Sequence, residues 1–259
     1  MERPAERREA DAFEHEMVDG PAQAFRHQVY LRVKATGEWA TALLLAVLLS
    51  PVIAVLAFLV KATSHGPAFY LQTRLGRGGK TYRICKLRTM EHNCEGLTGP
   101  VWATKDDIRI TRLGRVLRHT HLDELPQLWN VLRGDMGLIG PRPERPEIVA
   151  RIEREVPGYR QRLQVLPGVT GLAQMRLPAD TDVQSVRTKL AYDLFYVRQM
   201  SLMLDLRIAV CTAFYFLGAT AQCVCNLAVG SYGRAVETTL EEEPTEAELI
   251  PEAAMPETA

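Results

Sequence analysis

The 259-residue sequence lacks any CxxC pair among its five cysteines, Cys85, Cys94, Cys211, Cys223 and Cys225. An odd, scattered set of this kind excludes a disulfide framework and the common zinc spacings, and it implies reduced thiols. No short apolar run follows a basic start within the first 25 residues, as a cleaved secretory signal requires. Aromatic residues amount to only 7%, which argues against the aromatic platforms that nucleic-acid binders interleave with basic residues. There is no internal repeat, and the formal net charge is zero.

That zero conceals an asymmetry. Residues 1–20 hold three basic and seven acidic side chains, and residues 237–259 hold eight Glu and no base. The body between them therefore carries 28 Lys and Arg against 16 Asp and Glu, an excess of twelve positive charges. A body this basic favours polyanions such as lipid headgroups, nucleic acid or phosphorylated small molecules. The acidic ends read as solvated tails.

Residues 39–60, WATALLLAVLLSPVIAVLAFLV, are 22 in a row without a charge, about what a helix needs to cross a hydrocarbon core of ~30 Å. Ser50 and Pro51 stand at the middle, where proline removes a backbone hydrogen bond and predicts a sharp bend. Both flanks are basic: Arg26, Arg32 and Lys34 precede the run, and Lys61, Arg74, Arg77 and Lys80 follow it. A simple span prefers one depleted side. A re-entrant hairpin of two half-helices satisfies both flanks, with the serine hydroxyl serving a carbonyl freed at the break. A second uncharged run, residues 208–230, reads as a helix lying in the interface or packed on the domain.

Residues 69–90 carry β-branched, aromatic and basic residues around Gly78-Gly79, which predicts a hairpin or a pair of short strands. GGKT imitates the end of a P-loop, but that pattern needs glycine at position 74, which is Arg74. Arg109, Arg112, Arg115 and Arg118 recur at every third residue. A short helix there would carry them as a drifting stripe, either solvated or facing headgroups or a diphosphate.

The adjacent carboxylates Asp123 and Glu124 precede Pro126 in HLDELPQLWNVLRGDMGLIGPRP. As an N-cap, Asp123 would open a helix with Pro126 at its third position, and Gly134 would close it. Capping accounts for Asp123 and leaves Glu124 unexplained. Gly140-Pro141-Arg142-Pro143 is a rigid turn displaying one guanidinium, suited to a structural role or to a phosphate. PGVTGLAQ, residues 167–174, is a second glycine-punctuated loop able to bring N–H groups near a ligand.

Together these stretches resemble the bacterial sugar transferases, the monotopic phosphoglycosyl transferases that begin assembly of polyprenyl-linked glycans. The resemblance runs from about residue 39 to about residue 218. It includes the Ser50-Pro51 break, GPAFYLQTRLGRGGKTYRICKLRTM, RITRLGRVLRHTHLDELPQLWNVLRGDMGLIGPRPERPEIV, PGVTGLAQ and YDLFYVRQMSLMLDLRI. It implies a membrane enzyme that moves a phospho-sugar from a UDP-sugar to polyprenol (undecaprenyl) phosphate and releases UMP. On the same resemblance Asp123 is the nucleophile, forming an aspartyl-phosphosugar, and Glu124 binds Mg2+. Lys86, Arg88, Arg118 and Arg142 fall on basic positions near the substrate phosphates. The departures are His119 and His121 in place of lysine and serine, Leu71 in place of a basic residue, and Met175-Arg176-Leu177-Pro178 in place of a VNGR-like run. No block of four leading transmembrane helices precedes the anchor, as in a minimal form of the family.

The fold expected is mixed α/β and mainly helical: a re-entrant membrane helix-hairpin broken at Ser50-Pro51, a compact cytoplasmic catalytic domain and interfacial helices. Its expected parts are an acidic disordered arm over 1–25, the membrane-anchoring segment over 26–62, the catalytic domain over 63–236 and an acidic disordered tail over 237–259. Membrane lipid is the expected partner, nucleic acid is not, and a homo-oligomer stays open. The expected location is the bacterial inner membrane, with the catalytic domain facing the cytoplasm. The rival is a membrane-tethered protein that binds anionic lipid or nucleic acid without catalysis, for which Asp123→Asn would be harmless.

Overall fold

The computed structural model describes residues 21–94, 107–178 and 182–216, together with 229, 230, 232, 233 and 236. Most of the expected acidic arm, and the acidic tail, lie outside the described residues. The architecture is mixed α/β and mostly helical, built on one long apolar helix.

That helix, α1 (Pro21–Thr63), has 43 residues and is ~65 Å long at 1.5 Å per residue. The expected separation into two half-helices at Ser50-Pro51 is not seen, because α1 runs unbroken through both residues. The Ser50 hydroxyl donates to Val47 O at 2.8 Å. Val47 O is the carbonyl four residues before Pro51, which has no N–H to offer it, so the serine compensates the loss as the sequence implied. One stripe of α1 faces the rest of the protein: Tyr30, Lys34, Glu38, Ala42, Leu45, Leu49, Ile53, Leu56 and Val60. These recur every three or four residues, the period of a single helix face, and the stripe keeps its course across the proline. The opposite face exposes Leu43, Leu44, Val47, Leu48, Val52, Val55 and Phe58. An apolar face of this extent on a water-soluble surface would be anomalous, and it suits association with a membrane.

After α1, β1 (Phe69–Leu75) and β2 (Thr81–Leu87) pair antiparallel, with Phe69 opposite Leu87 and Leu75 opposite Thr81. The turn between them holds Gly78 and Gly79 at φ 66° and 74°, values glycine adopts without steric cost. The predicted hairpin is therefore present, and strand rather than helix follows Thr81. Next comes α2 (Arg112–His119), capped by Thr111, whose hydroxyl accepts from Gly114 N at 2.9 Å. This corrects the arginine stripe. The helix starts at Arg112, and Arg109 lies outside it, bonded through Nη2 to Asp107 Oδ2 at 2.6 Å.

A 3-10 turn, Leu122–Gln127, leads into α3 (Leu128–Leu132). Then β3 (Gly137–Ile139) pairs in parallel with β4 (Gly168–Thr170). Between those strands lie α4 (Pro146–Ile152) and a 3-10 turn, Tyr159–Gln164. The chain continues through α5 (Leu172–Arg176), α6 (Val183–Gln199) and α7 (Leu202–Phe216). Parallel pairing needs close backbone approach at Gly140 and Gly168, where a Cβ on either would strike the other strand's backbone. The Gly168 N–H is spent on Pro141 O at 2.9 Å, so this part of PGVTGLAQ holds the GPRP turn.

Among the described residues the core is divided into four apolar clusters, and α1 contributes to two of them. Ala42 packs with Ile84, Leu128, Val131 and Met136, and Val60 packs with Leu87 and Leu117. The inner face of α7 places Leu204, Ile208 and Cys211 in a third cluster with Tyr192 and Tyr196. Its outer face exposes Leu206, Val210 and Phe214. The described part of the second uncharged run is thus packed on the domain.

Gly114 lies where α2 crosses the end of β2, and a Cβ there would strike the backbone oxygen of Thr89. Gly114→Ala is expected to destabilise by about 1–3 kcal/mol through overpacking, seen as a lower melting temperature in detergent, whereas Gly37→Ala, at an exposed position of α1 where a Cβ meets nothing within 4 Å, serves as the control that is not destabilised.

Candidate active site

The site is assembled from three separated segments: the end of β2, the 3-10 turn after α2, and the turn after β3. Lys86, the penultimate residue of β2, donates from Nζ to Glu124 Oε1 at 2.7 Å. Arg142, in the GPRP turn, donates from Nη2 to the same oxygen at 2.6 Å. Glu124 Oε2 is farther from Arg142 Nη1, at 3.4 Å. Burial works against the charged form of Glu124, but Arg142 and Lys86 outweigh it and hold the carboxyl well below the usual range. Lys86 is in turn depressed by burial, with Glu124 opposing.

Asp123 behaves differently from its neighbour. It is 7% exposed, and burial, reinforced by the charge of Glu124, pushes its pKa up to about 6 against the pull of Lys86, Arg118 and Arg142. Two adjacent carboxylates thus have strongly different acidities, the usual mark of a division of labour. Asp123 is not a helix N-cap, contrary to the capping expectation. His121 holds that position with a left-handed backbone, φ 54°, and no side-chain cap bond is made. Among the described residues none donates a hydrogen bond to the Asp123 carboxylate. Gly134 does take the left-handed conformation expected after the helix, at φ 77°.

Arg118 Nε donates to Thr89 Oγ1 at 2.8 Å, and both residues share a cavity wall with Asp123. Arg88 differs from the other three cations. Its Nη2 donates to Ser64 O at 2.9 Å and Ser64 Oγ at 2.7 Å, and the side chain is 5% exposed. It ties the strand end to the segment just after α1. A cavity of about 1970 Å3 has Lys86, Arg88, Arg118, Asp123, Glu124 and Arg142 in its wall. The same cavity is lined by Leu45 and Leu49 of α1 and by Ala209 and Phe216 of α7, so charged and apolar surfaces share one space.

Sequence reasoning passed over two residues that hold this geometry. Asn130 is 2% exposed. Its Oδ1 accepts from Cys85 N at 2.9 Å and its Nδ2 donates to Arg83 O at 2.8 Å. An amide side chain thereby stands in for a neighbouring strand along β2 and fixes α3 next to Lys86. Its neighbour Trp129 is 61% exposed, and a buried Asn beside an exposed Trp is invisible to a hydropathy pattern. Arg162 is the second. Its Nη2 donates to Arg142 O at 2.8 Å, and its side chain, 1% exposed, is paired with buried Asp193 at 2.7 Å. Nothing in YRQRLQ distinguishes it from its neighbours.

Among the described residues no three or more His, Cys, Asp and Glu cluster as a metal cage. The donor set still fits Mg2+, which commonly takes one or two carboxylates and completes its shell with water and substrate phosphate. Glu124 Oε2 and the Asp123 carboxylate are the hard oxygens on hand.

Paired carboxylates with separated acidities, a wall of fixed cations and an apolar anchor define a membrane-associated site for a phosphorylated substrate. The family model for bacterial sugar transferases matches residues 29–219, and the chain belongs to that family. A UDP-glucose:undecaprenyl-phosphate glucose-1-phosphate transferase of Caulobacter vibrioides is 44% identical over 189 residues, 72% of this chain and 70% of that one. A UDP-N-acetylgalactosamine-undecaprenyl-phosphate N-acetylgalactosaminephosphotransferase of Aeromonas hydrophila is 41% identical over 180 residues. The match covers 70% of this chain and 42% of the Aeromonas protein's length. An exopolysaccharide production protein of Rhizobium leguminosarum is 42% identical over 165 residues, 62% of this chain and 82% of that one.

Replacing Asn130 by Ala leaves Cys85 N and Arg83 O without their partner, and unsatisfied buried groups cost about 1–3 kcal/mol each. A melting temperature lowered by several degrees is the expected result, and an unchanged one would show that water replaces the amide.

Proposed function

We propose that this protein transfers a phospho-sugar from a UDP-sugar to undecaprenyl phosphate and releases UMP, as the initiating step in making an exopolysaccharide, O-antigen, capsule or other glycoconjugate. The observation that carries this reading is the buried Asp123, with its raised pKa, beside Glu124 clamped by Lys86 and Arg142. Family membership and the activities in the relatives' names point the same way.

In this reading the transfer runs as two successive displacements. A carboxylate oxygen of Asp123 attacks the sugar-bearing phosphorus. As the new oxygen–phosphorus bond forms, the bond to the UMP oxygen breaks, and UMP leaves with that electron pair. A phosphate oxygen of the acceptor then attacks the same phosphorus, the acyl-phosphate bond breaks, and the Asp123 carboxylate is restored. No base is needed, because a group with a pKa of about 6 is ~90% ionised at pH 7 while being more basic than a solvated aspartate.

Lys86, Arg118 and Arg142 neutralise the diphosphate and stabilise charge building on the leaving group. Glu124 keeps Lys86 and Arg142 gathered before substrate arrives. Held by Glu124, with Asp123 adjacent, Mg2+ would supply further screening of the phosphate charge. Arg88, taken up with Ser64, has a tethering role in this reading.

The anchor is assigned to the cytoplasmic leaflet of the inner membrane, with residues 63–236 as the catalytic domain facing the cytoplasm. Both ends of α1 enter from that side. The support is that Lys34, just before the apolar run, reaches Ile139 O and Asp205, while Ser64, just after it, is bonded by Arg88. A helix crossing a core of ~30 Å would put its ends on opposite sides. The apolar stretch of the cavity brings the acceptor's lipid tail to the dyad.

Purified protein given Mg2+, undecaprenyl phosphate and a panel including UDP-glucose and UDP-N-acetylgalactosamine is expected to release UMP. Asp123→Ala is expected to lower the rate on the order of 1000-fold without lowering the melting temperature, since ionised Asp123 is itself disfavoured by burial, and a folded wild type that releases no UMP would refute the function. In a two-step route kcat/KM for the UDP-sugar reports the first transfer alone. It is expected to fall on the acid side as Asp123 protonates, with a midpoint near its pKa of about 6. Arg118→Met removes a charge that lowers this pKa, so the midpoint should move to higher pH. Cysteines placed at Arg26 and Thr63 should both resist an impermeant thiol reagent applied from outside the cell, and labelling of either would overturn the same-side topology.

A further inference from the structure

The inward stripe of α1 is apolar from Ala42 onward but polar before it. Tyr30, Lys34 and Glu38, on successive turns, meet Asp205 of α7 and Tyr196 of α6. Tyr30 donates to Asp205 Oδ2 and Tyr196 to Asp205 Oδ1, each at 2.7 Å. Lys34 Nζ donates to Asp205 Oδ2 at 3.1 Å and to Glu38 Oε1 at 2.5 Å. The side chains of Lys34, Glu38 and Asp205 are 11–13% exposed, so the cluster is largely removed from water. Charges in such a place are held by their partners or not at all.

The cluster has a second set of contacts, to one backbone residue. Glu38 Oε1 accepts from Ile139 N at 3.1 Å, and Lys34 Nζ donates to Ile139 O at 3.1 Å. The anchor helix therefore satisfies both backbone groups of Ile139 on the open edge of β3, where another strand would otherwise bind. Ile139 is followed by Gly140, Pro141 and then Arg142, whose guanidinium lies 2.6 Å from Glu124. The link between them is stiff: a Cβ at Gly140 would strike Leu166 O and Gly168 N, and Pro141 has a fixed φ. A shift at Ile139 is thus passed to Arg142.

We infer that Lys34 and Glu38 are positioning residues that act through Ile139 to set Arg142, so that the seat of the membrane helix and the geometry of the phosphate site form one mechanical unit. Insertion of α1 then does more than hold the enzyme at the membrane. It completes the cation wall. This inference rests on the assignment of Arg142 to the donor phosphates made under the proposed function.

A double-mutant cycle on the full-length protein in detergent tests it, with kcat/KM for an accepted UDP-sugar as the readout. Glu38→Ala is expected to lower kcat/KM roughly tenfold, within the range of couplings between linked residues. In an Arg142→Ala background the same change should cost less than about twofold, because the group it positions is gone. Glu38→Gln, which keeps an acceptor for Ile139 N, should restore most of the activity and gives a second route if the alanine variant folds poorly. Equal losses in both backgrounds would overturn the inference and leave the role of Arg142 intact. An Arg142→Ala enzyme as active as wild type would instead remove the assignment of Arg142 itself.

Discussion

The buried Glu124 carboxylate, shared between Lys86 and Arg142, is the interaction on which the rest of this structure depends. The three residues come from a strand end, a 3-10 turn and a glycine-proline turn, segments 38 and 18 residues apart in the chain. Gathering two cations around one carboxylate costs desolvation that only close geometry can offset. Much of the surrounding architecture supplies that geometry: Asn130 fixes α3 along β2, Arg162 grips Arg142 O, and the close approach at Gly140 and Gly168 holds the turn. Asp123 gains its altered acidity from the same enclosure, so its raised pKa and the cation wall are consequences of one packing arrangement.

Association with a membrane imposes a second demand, which α1 meets from both of its faces. Its outer face is apolar along most of its length, while its inner stripe contributes Ala42 and Val60 to the core. In a soluble protein such a helix would be surrounded by other elements. Here the domain covers one side, which suits lipid on the other. The shared cavity suits the proposed reaction, in which a water-soluble diphosphate and a lipid-tailed phosphate would meet at one phosphorus from different solvents.

Local signals in the sequence carried a good part of the fold. The Gly78-Gly79 hairpin, the left-handed Gly134 and the compensating hydroxyl of Ser50 depend on neighbours within a few residues, and each is present. Where long-range contacts decide, local pattern misled. Asp123 read as a cap because its spacing from Pro126 and Gly134 suits one, yet His121 occupies that position. The four arginines read as one stripe, but Arg109 turns to Asp107 and Arg118 to Thr89. Pro51 read as a break, whereas the Ser50 hydroxyl and the continuous packed stripe keep the helix whole. Lys34 counted as a flanking charge for topology, and it is bound to Asp205 and Ile139 O.

By itself, the sequence determined the chemical inventory and its order: adjacent carboxylates, a basic body, an uncharged stretch of membrane length, and motifs in the succession of the sugar transferases. Those are properties of residue identity and short-range spacing, which a linear pattern preserves. Only the tertiary structure decided which cations face Glu124, that Arg88 also bonds Ser64, and how the acidities of Asp123 and Glu124 diverge. Burial and charge proximity set these outcomes, and both depend on distances between segments that no local spacing encodes.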